Sequence, residues 1–153
     1  MSNITHSGDK HAAIAADFAV IHNQVVAWGD MDAFGHVNNV DYYRYIENAR
    51  LAYYEALGLK LDDVITVILS SQCRYIKAVV YPDTLYIGAK TVKLGTSSFV
   101  MNYSLYSTAQ QDLVATGEAV IVTLDAQQQK IAIPQALREK IIALESKVAN
   151  HLS

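Results

Sequence analysis

The spacing of apolar residues changes once along the chain, and that change restricts the fold more than any other feature. Apolar side chains recur at Val40, Tyr43, Ile46, Ala49, Tyr53, Ala56 and Leu57. Spacings of three and four place them on one face of a helix of about five turns. Gly58 follows and supplies a stop, because glycine adopts the left-handed conformation without a Cβ clash. From Ile65 the spacing becomes two: Ile65, Val67, Leu69, Cys73 and Tyr75 alternate with Thr66, Ser70, Gln72 and Arg74. Pro82-Asp83 marks a turn, residues 85–94 a strand, and Gly95-Thr96 a tight connection. Phe99, Met101, Tyr103 and Leu105 alternate again, Gln110-Gln111-Asp112 turns, and residues 113–124 read as a β-branched central strand. A first strand is expected over residues 18–28, and a short helix after Pro134 with Leu137, Ile141, Leu144 and Val148 on one face.

The order is strand, long helix, four consecutive strands, short helix. Four strands joined by turns predict an antiparallel meander, and the helix must cover one face, since a lone sheet cannot hide its apolar side. The expected class is α+β: an antiparallel sheet of about five strands wrapped around one long helix. Residues 1–16, polar and then alanine-rich, read as a flexible leader, and residues 17–153 as a single domain.

Composition narrows the function. The chain has 153 residues, 52% hydrophobic and 18% charged, with two prolines and seven glycines; this suits one globular domain. A net charge of −3 lacks the basic footprint of a nucleic-acid or membrane-surface binder, so an anionic ligand must meet local cations. The single cysteine, Cys73, excludes an intrachain disulfide and a cysteine-rich zinc site, and suits a reducing cytoplasm. The first residues lack a signal-peptide pattern, and no apolar run approaches the roughly 18 residues of a membrane helix. A soluble cytoplasmic protein is expected. Ten tyrosines against one tryptophan and three phenylalanines read either as ordinary strand residues or as walls where apolar surface meets water.

The informative segment runs from Trp28 to Tyr43. Asp30, Asp32, His36, Asn38 and Asn39 fall within ten residues, directly before the long helix. The first N–H groups of a helix lack intrahelical acceptors and, with the helix dipole, stabilise negative charge such as an oxyanion. Taken alone, the run also reads as turn residues plus an N-cap. Metal binding by Asp30, Asp32 and His36 is disfavoured, because the run lacks the EF-hand positions and carries a lone histidine.

The string Gly-Asp-Met-Asp-Ala-Phe-Gly-His-Val-Asn-Asn-Val-Asp-Tyr, followed by Tyr45-Ile46-Glu47-Asn48-Ala49-Arg50, resembles the signature of the hydroxybenzoyl-CoA thioesterase family, acyl-CoA thioesterases of the hot-dog fold. The resemblance covers about residues 18–130. It implies hydrolysis of an acyl-CoA thioester to a free acid and coenzyme A, without metal or other cofactor. The family's second aspartate, acting as nucleophile or as base toward water, matches Asp32. The family's oxyanion amide matches Asn39. His36 takes a supporting catalytic role and Asn38 a supporting, substrate-binding one, and Asp30 braces the loop. In family members the third strand connection lies beside the coenzyme, so Lys93, Thr96 and Ser97 are candidate substrate contacts, with Lys90, Lys77 and Arg74 as further cations. The resemblance also implies a homodimer or homotetramer with sites between subunits, where Ser71 and Gln72 can face a partner's acyl pocket. A binding module for acyl-CoA or acyl carrier protein is the alternative; dehydration or hydration on the same fold is a third. Cys73 is expected to be a packed, inert thiol, and Glu47 to pair on the surface with Arg44 or Arg50.

Overall fold

The periodic segment forms helix α1, Asn39–Ala56, in the computed structural model of the protein, which describes residues 14–60 and 64–153. The strands are β1, Val20–Val25; β2, Ile65–Tyr75; β3, Thr84–Leu94; β4, Ser98–Ser107; and β5, Asp112–Leu124. Helix α2, Gln135–Ser146, follows. Residues 1–13 of the expected leader lie outside the described residues; residues 14–17 are helical. The expected first strand is shortened at both ends, and Trp28 belongs to a 3-10 turn, Trp28–Asp30.

All five strands join one antiparallel sheet in the order β1-β3-β4-β5-β2. The expected four-strand meander is therefore corrected to three: β3, β4 and β5 are successive neighbours, whereas β2 lies at the far edge beside β5. The free side of β3 is taken by β1, so β2 pairs with the one interior strand still open. Alternation in β2 is also broken. Ile68 faces Ile121 and Ser70 faces Val120, leaving Leu69 as an extra residue in a bulge.

Helix α1 starts at Asn38, whose Oδ1 accepts the Val40 N–H at 3.0 Å, and Gly58 follows its end at φ +73°. Its buried face is Tyr42, Tyr45, Ile46, Ala49, Arg50 and Tyr53. Val40 and Tyr43 are 67% and 39% exposed, so the expected face is turned by about one residue, or roughly 100°, at its start. The first turn faces the loop before it, and tyrosines bury there because their hydroxyls find partners.

One helix reaches every strand. Asn48 donates to Gln24 of β1 at 2.8 Å, and Tyr42 meets Tyr75 of β2 edge-on at 4.9 Å. Tyr53 shares a hydrogen bond with Thr91 of β3 at 2.9 Å, and Arg50 donates to the Tyr103 hydroxyl of β4 at 3.1 Å. Ile46 lies on Gly117 of β5, where a Cβ would come within 2.6 Å of its Cδ1; glycine is what allows this approach. Between helix and sheet, Leu85, Ile87, Phe99, Met101, Leu105 and Ile121 are wholly or almost wholly buried, each contributing about 2 kcal/mol of transfer free energy. Arg50 is thus a buried residue bonded to Tyr103, not half of a surface pair with Glu47.

Helix α2 buries Leu137, Ile141 and Leu144, and also Glu145; Val148 lies beyond its end. The Glu145 carboxylate accepts the Tyr53 hydroxyl at 2.8 Å, the Thr91 N–H at 3.0 Å and the Asn150 amide at 3.2 Å. This pins α2 to both α1 and β3.

Candidate active site

The loop between β1 and α1 is folded by its own polar residues. Asp30 Oδ2 accepts the Ala27 N–H at 3.0 Å and the Tyr45 hydroxyl at 2.5 Å, and its carbonyl accepts the Asn38 N–H at 2.9 Å. Burial, and secondarily the bond to Asp30, push the Tyr45 phenol well above its ordinary range, so it stays a donor. Asp30 braces the loop. Beyond it the Asp32 N–H donates to the His36 carbonyl at 2.8 Å, and the Gly35 N–H returns to the Asp32 carbonyl at 3.0 Å. Gly35 has φ +82°, a conformation costly for residues with a Cβ. The Val37 N–H donates to the Val79 carbonyl at 2.8 Å, tying the hairpin to the segment after β2.

Asp32 stands at the corner of this hairpin, half-buried. Its Oδ1 accepts the Phe34 N–H at 2.9 Å, which fixes the carboxylate. Oδ2 has no partner among the described residues. Asp32 lines a cleft of about 600 Å³ together with His36, Asn39, Tyr42, Tyr75 and Lys77. Asn39 is the first residue of α1. The N-cap side chain goes to the Val40 N–H, and the Asn39 N–H has no acceptor among the described residues. A fixed carboxylate and a free amide at a helix start therefore share one cleft with two aromatic walls. Such a pair suits a carbonyl compound: one group acts at the carbon, the other holds the oxygen as charge develops on it.

The other expected site residues divide. His36 lines the cleft, exposed, and its carbonyl orients Asp32. Asn38 is occupied in capping α1. Lys93 and Thr96 are exposed and Ser97 is half-buried at the β3–β4 turn, where the carbonyls of Gly95, Thr96 and Ser97 accept from Arg138, Ile133 and Thr123. The Asp32 loop lies beside Asp83 and Thr84, at the opposite end of β3. An eleven-residue strand separates the two groups by about 35 Å, and one chain does not bring them together.

Among the further cations, Lys77 lines the Asp32 cleft and pairs with Asp112 at 2.6 Å. Arg74 and Lys90 line a different cavity of about 510 Å³ that also holds Asn102 and Glu118. Burial pushes the Cys73 thiol up, away from thiolate reactivity. Tyr75 is a cleft residue that the sequence left unassigned, as are Phe34, Ile76 and Ala78; the available signal for Tyr75 was its place in the alternation of β2. Among the described residues no group of three or more His, Cys, Asp and Glu is placed to hold a metal ion, and no helix is long and apolar enough to cross a membrane.

The family model of the Thioesterase-like superfamily matches residues 26–141, and the chain belongs to that superfamily, with the hot-dog fold. A thioesterase from Thermus thermophilus, solved complexed with coenzyme A and Zn, is 30% identical, with a TM-score of 0.79 and 85% of this chain and 96% of that one covered. The PA5185 protein of Pseudomonas aeruginosa strain PAO1 is 32% identical, with a TM-score of 0.76 and coverage of 84% and 93%. Among curated proteins, YsmA of Bacillus subtilis (strain 168) is 30% identical over 115 residues, which are 74% of this chain and 78% of YsmA.

Proposed function

We propose that the protein hydrolyses an acyl-CoA thioester to a carboxylic acid and coenzyme A, within the hydroxybenzoyl-CoA branch of the superfamily. The observation that carries this reading is the convergence of the Asp32 carboxylate and the free Asn39 N–H on one cleft. The coenzyme A bound to the 30% identical Thermus thioesterase supports the thiol half of the substrate.

A thioester needs little more. Sulfur donates weakly to the carbonyl, and a thiolate leaves readily. With Asp32 as base, a water loses a proton to the free carboxylate oxygen while its oxygen bonds to the carbonyl carbon. The Asn39 N–H holds the oxyanion, the C–S bond breaks, and the coenzyme A thiolate takes the proton from Asp32. With Asp32 as nucleophile, its oxygen bonds to the carbon, the thiolate leaves, and water hydrolyses the mixed anhydride. In single turnover in ¹⁸O-water, label entering the Asp32 carboxylate, by attack of water on the aspartyl carbonyl of the anhydride, marks the second route.

The reading includes a homodimer joined through β2 and dimers paired as tetramers, which would bring Lys93, Thr96 and Ser97 of other copies to the coenzyme. Support comes from the β2 edge, whose Val67, Ile68 and Leu69 are 40%, 42% and 65% exposed; an open apolar edge invites another strand.

Release of coenzyme A from a panel of acyl-CoAs, compared between wild type and Asp32→Asn, tests the proposal. Turnover in the wild type is expected to fall at least about 100-fold in the variant, with binding of the acyl-CoA retained. Binding without turnover in both proteins would instead support the non-catalytic module.

A further inference from the structure

We propose that Tyr75 is a positioning residue for the oxyanion amide: its hydroxyl ties the backbone of Asn39 to the end of β2 and so aims the Asn39 N–H into the cleft. The inference rests on the hydrolytic reading above.

Tyr75 is the last residue of β2, and its hydroxyl donates to the Asn39 carbonyl at 3.1 Å. The free N–H belongs to the Asn38–Asn39 peptide, whose carbonyl accepts the Asp41 N–H at 2.9 Å. The bonded carbonyl belongs to the Asn39–Val40 peptide, so the Tyr75 bond acts on the N–H across the Asn39 Cα. Other groups of the same turn are also held. The Asn38 N–H is bonded to the Asp30 carbonyl, and the Val40 N–H to the Asn38 side chain. Among these restraints, the Tyr75 bond is the one that comes from the sheet. Its ring is fixed in turn, edge-on to the buried Tyr42 at 4.9 Å and 86°.

The phenol is well placed for this task. Burial, then the neighbouring Cys73 and Tyr43, push Tyr75 above the ordinary tyrosine range, so the hydroxyl remains a donor across the pH range of an assay. Tyr75 itself lines the cleft, but its hydroxyl is directed at the helix backbone. An oxyanion donor acts only when it is held in place before charge develops, and displacement by a fraction of an ångström loses rate without losing substrate affinity.

The test is Tyr75→Phe, which removes one oxygen and keeps the ring against Tyr42. The substrate is whichever acyl-CoA of the panel the wild type hydrolyses fastest. The expected result is a kcat lowered roughly 5- to 20-fold with KM within about twofold and an unchanged melting temperature. Affinity for a trifluoromethyl-ketone analogue of that acyl-CoA should fall by the same factor as kcat/KM. A wild-type kcat in the variant overturns the inference. So does a raised KM at unchanged kcat, which would make Tyr75 a substrate contact, or a lost fold with normal turnover per folded molecule. Absence of turnover in the wild type sinks the hydrolytic reading and this inference with it, whereas turnover indifferent to Tyr75→Phe sinks the inference alone.

Discussion

Asn38 and Asn39 are adjacent and chemically identical, yet the backbone gives them different tasks. Asn38 has extended backbone angles, φ −61° and ψ 138°, and its side chain turns back onto the Val40 N–H. Asn39 already lies in the helix and lines the cleft. Substitution should separate them. Asn38→Ala is expected to cost about 1 kcal/mol of stability, and Asn38→Ser to restore most of it, since serine caps nearly as well. Denaturant unfolding checks this; a kcat loss that serine does not rescue would mark Asn38 as a substrate contact. The aspartates divide their work by the same local rules. Asp30 is bonded through Oδ2 to Tyr45 and Ala27 and is not among the residues lining the cleft, whereas Asp32 lines it. The Asp-x-Asp spacing announced both residues. The partner that turns Asp30 to bracing is Tyr45, fifteen residues away, and no local pattern encodes that.

At the scale of elements, α2 is held by a buried polar side chain as much as by its apolar stripe. Glu145 is fully buried and accepts from a side chain of α1 and a main-chain group of β3. Glu145→Ala should therefore lower unfolding free energy by about 2–4 kcal/mol while turnover per folded molecule is unchanged, because α2 docks at the end of β3 away from Asp32. Equilibrium denaturation beside a kcat measurement decides this; a matching loss of kcat would mean that α2 reaches the cleft. The β2 edge admits a second prediction. Val67→Lys combined with Leu69→Lys is expected to yield a folded monomer with little turnover, read by light scattering and circular dichroism; an unchanged mass would remove β2 from the interface. Elements were legible in the sequence where periodicity alone sets them: α1 and its glycine stop, β3 to β5, and α2. The partner of β2 was not, because pairing depends on which strand has a free side after β1 has docked. Buried Arg50 and Glu145 were not legible either, since a charged residue signals burial only through partners distant in sequence. Of the candidate site, the Asp32 loop and helix start were readable from one motif, while Tyr75 arrives from another strand.

For the whole molecule, the tyrosines make alkaline stability a collective property. Burial is the leading cause that raises Tyr42, Tyr45, Tyr53, Tyr54, Tyr75, Tyr103 and Tyr106, with Tyr103 pushed up to about 12. Below about pH 10 these phenols are neutral in both folded and unfolded chains, and their contribution to stability is fully present. Above it the unfolded chain releases protons that the folded chain retains, so stability falls as pH rises toward and through about 12. The tyrosinate absorbance of these seven residues should therefore appear in one cooperative step coincident with loss of tertiary circular dichroism. Independent ionisation of most tyrosines near pH 10 with the fold intact would contradict it.

The length of β3 has a consequence for how damaged copies behave in company. Since the carboxylate loop and the turn carrying Lys93, Thr96 and Ser97 sit at opposite ends of that strand, two defective versions of the protein need not be defective at the same place. Co-refolding Asp32→Asn with a Lys93→Ala, Thr96→Ala, Ser97→Ala triple variant should regenerate some intact centres, each assembled from the unspoiled halves of two parents. The mixture is then more active than either parent by itself. Rescue that never exceeds the sum of the parents would show that each copy serves only itself.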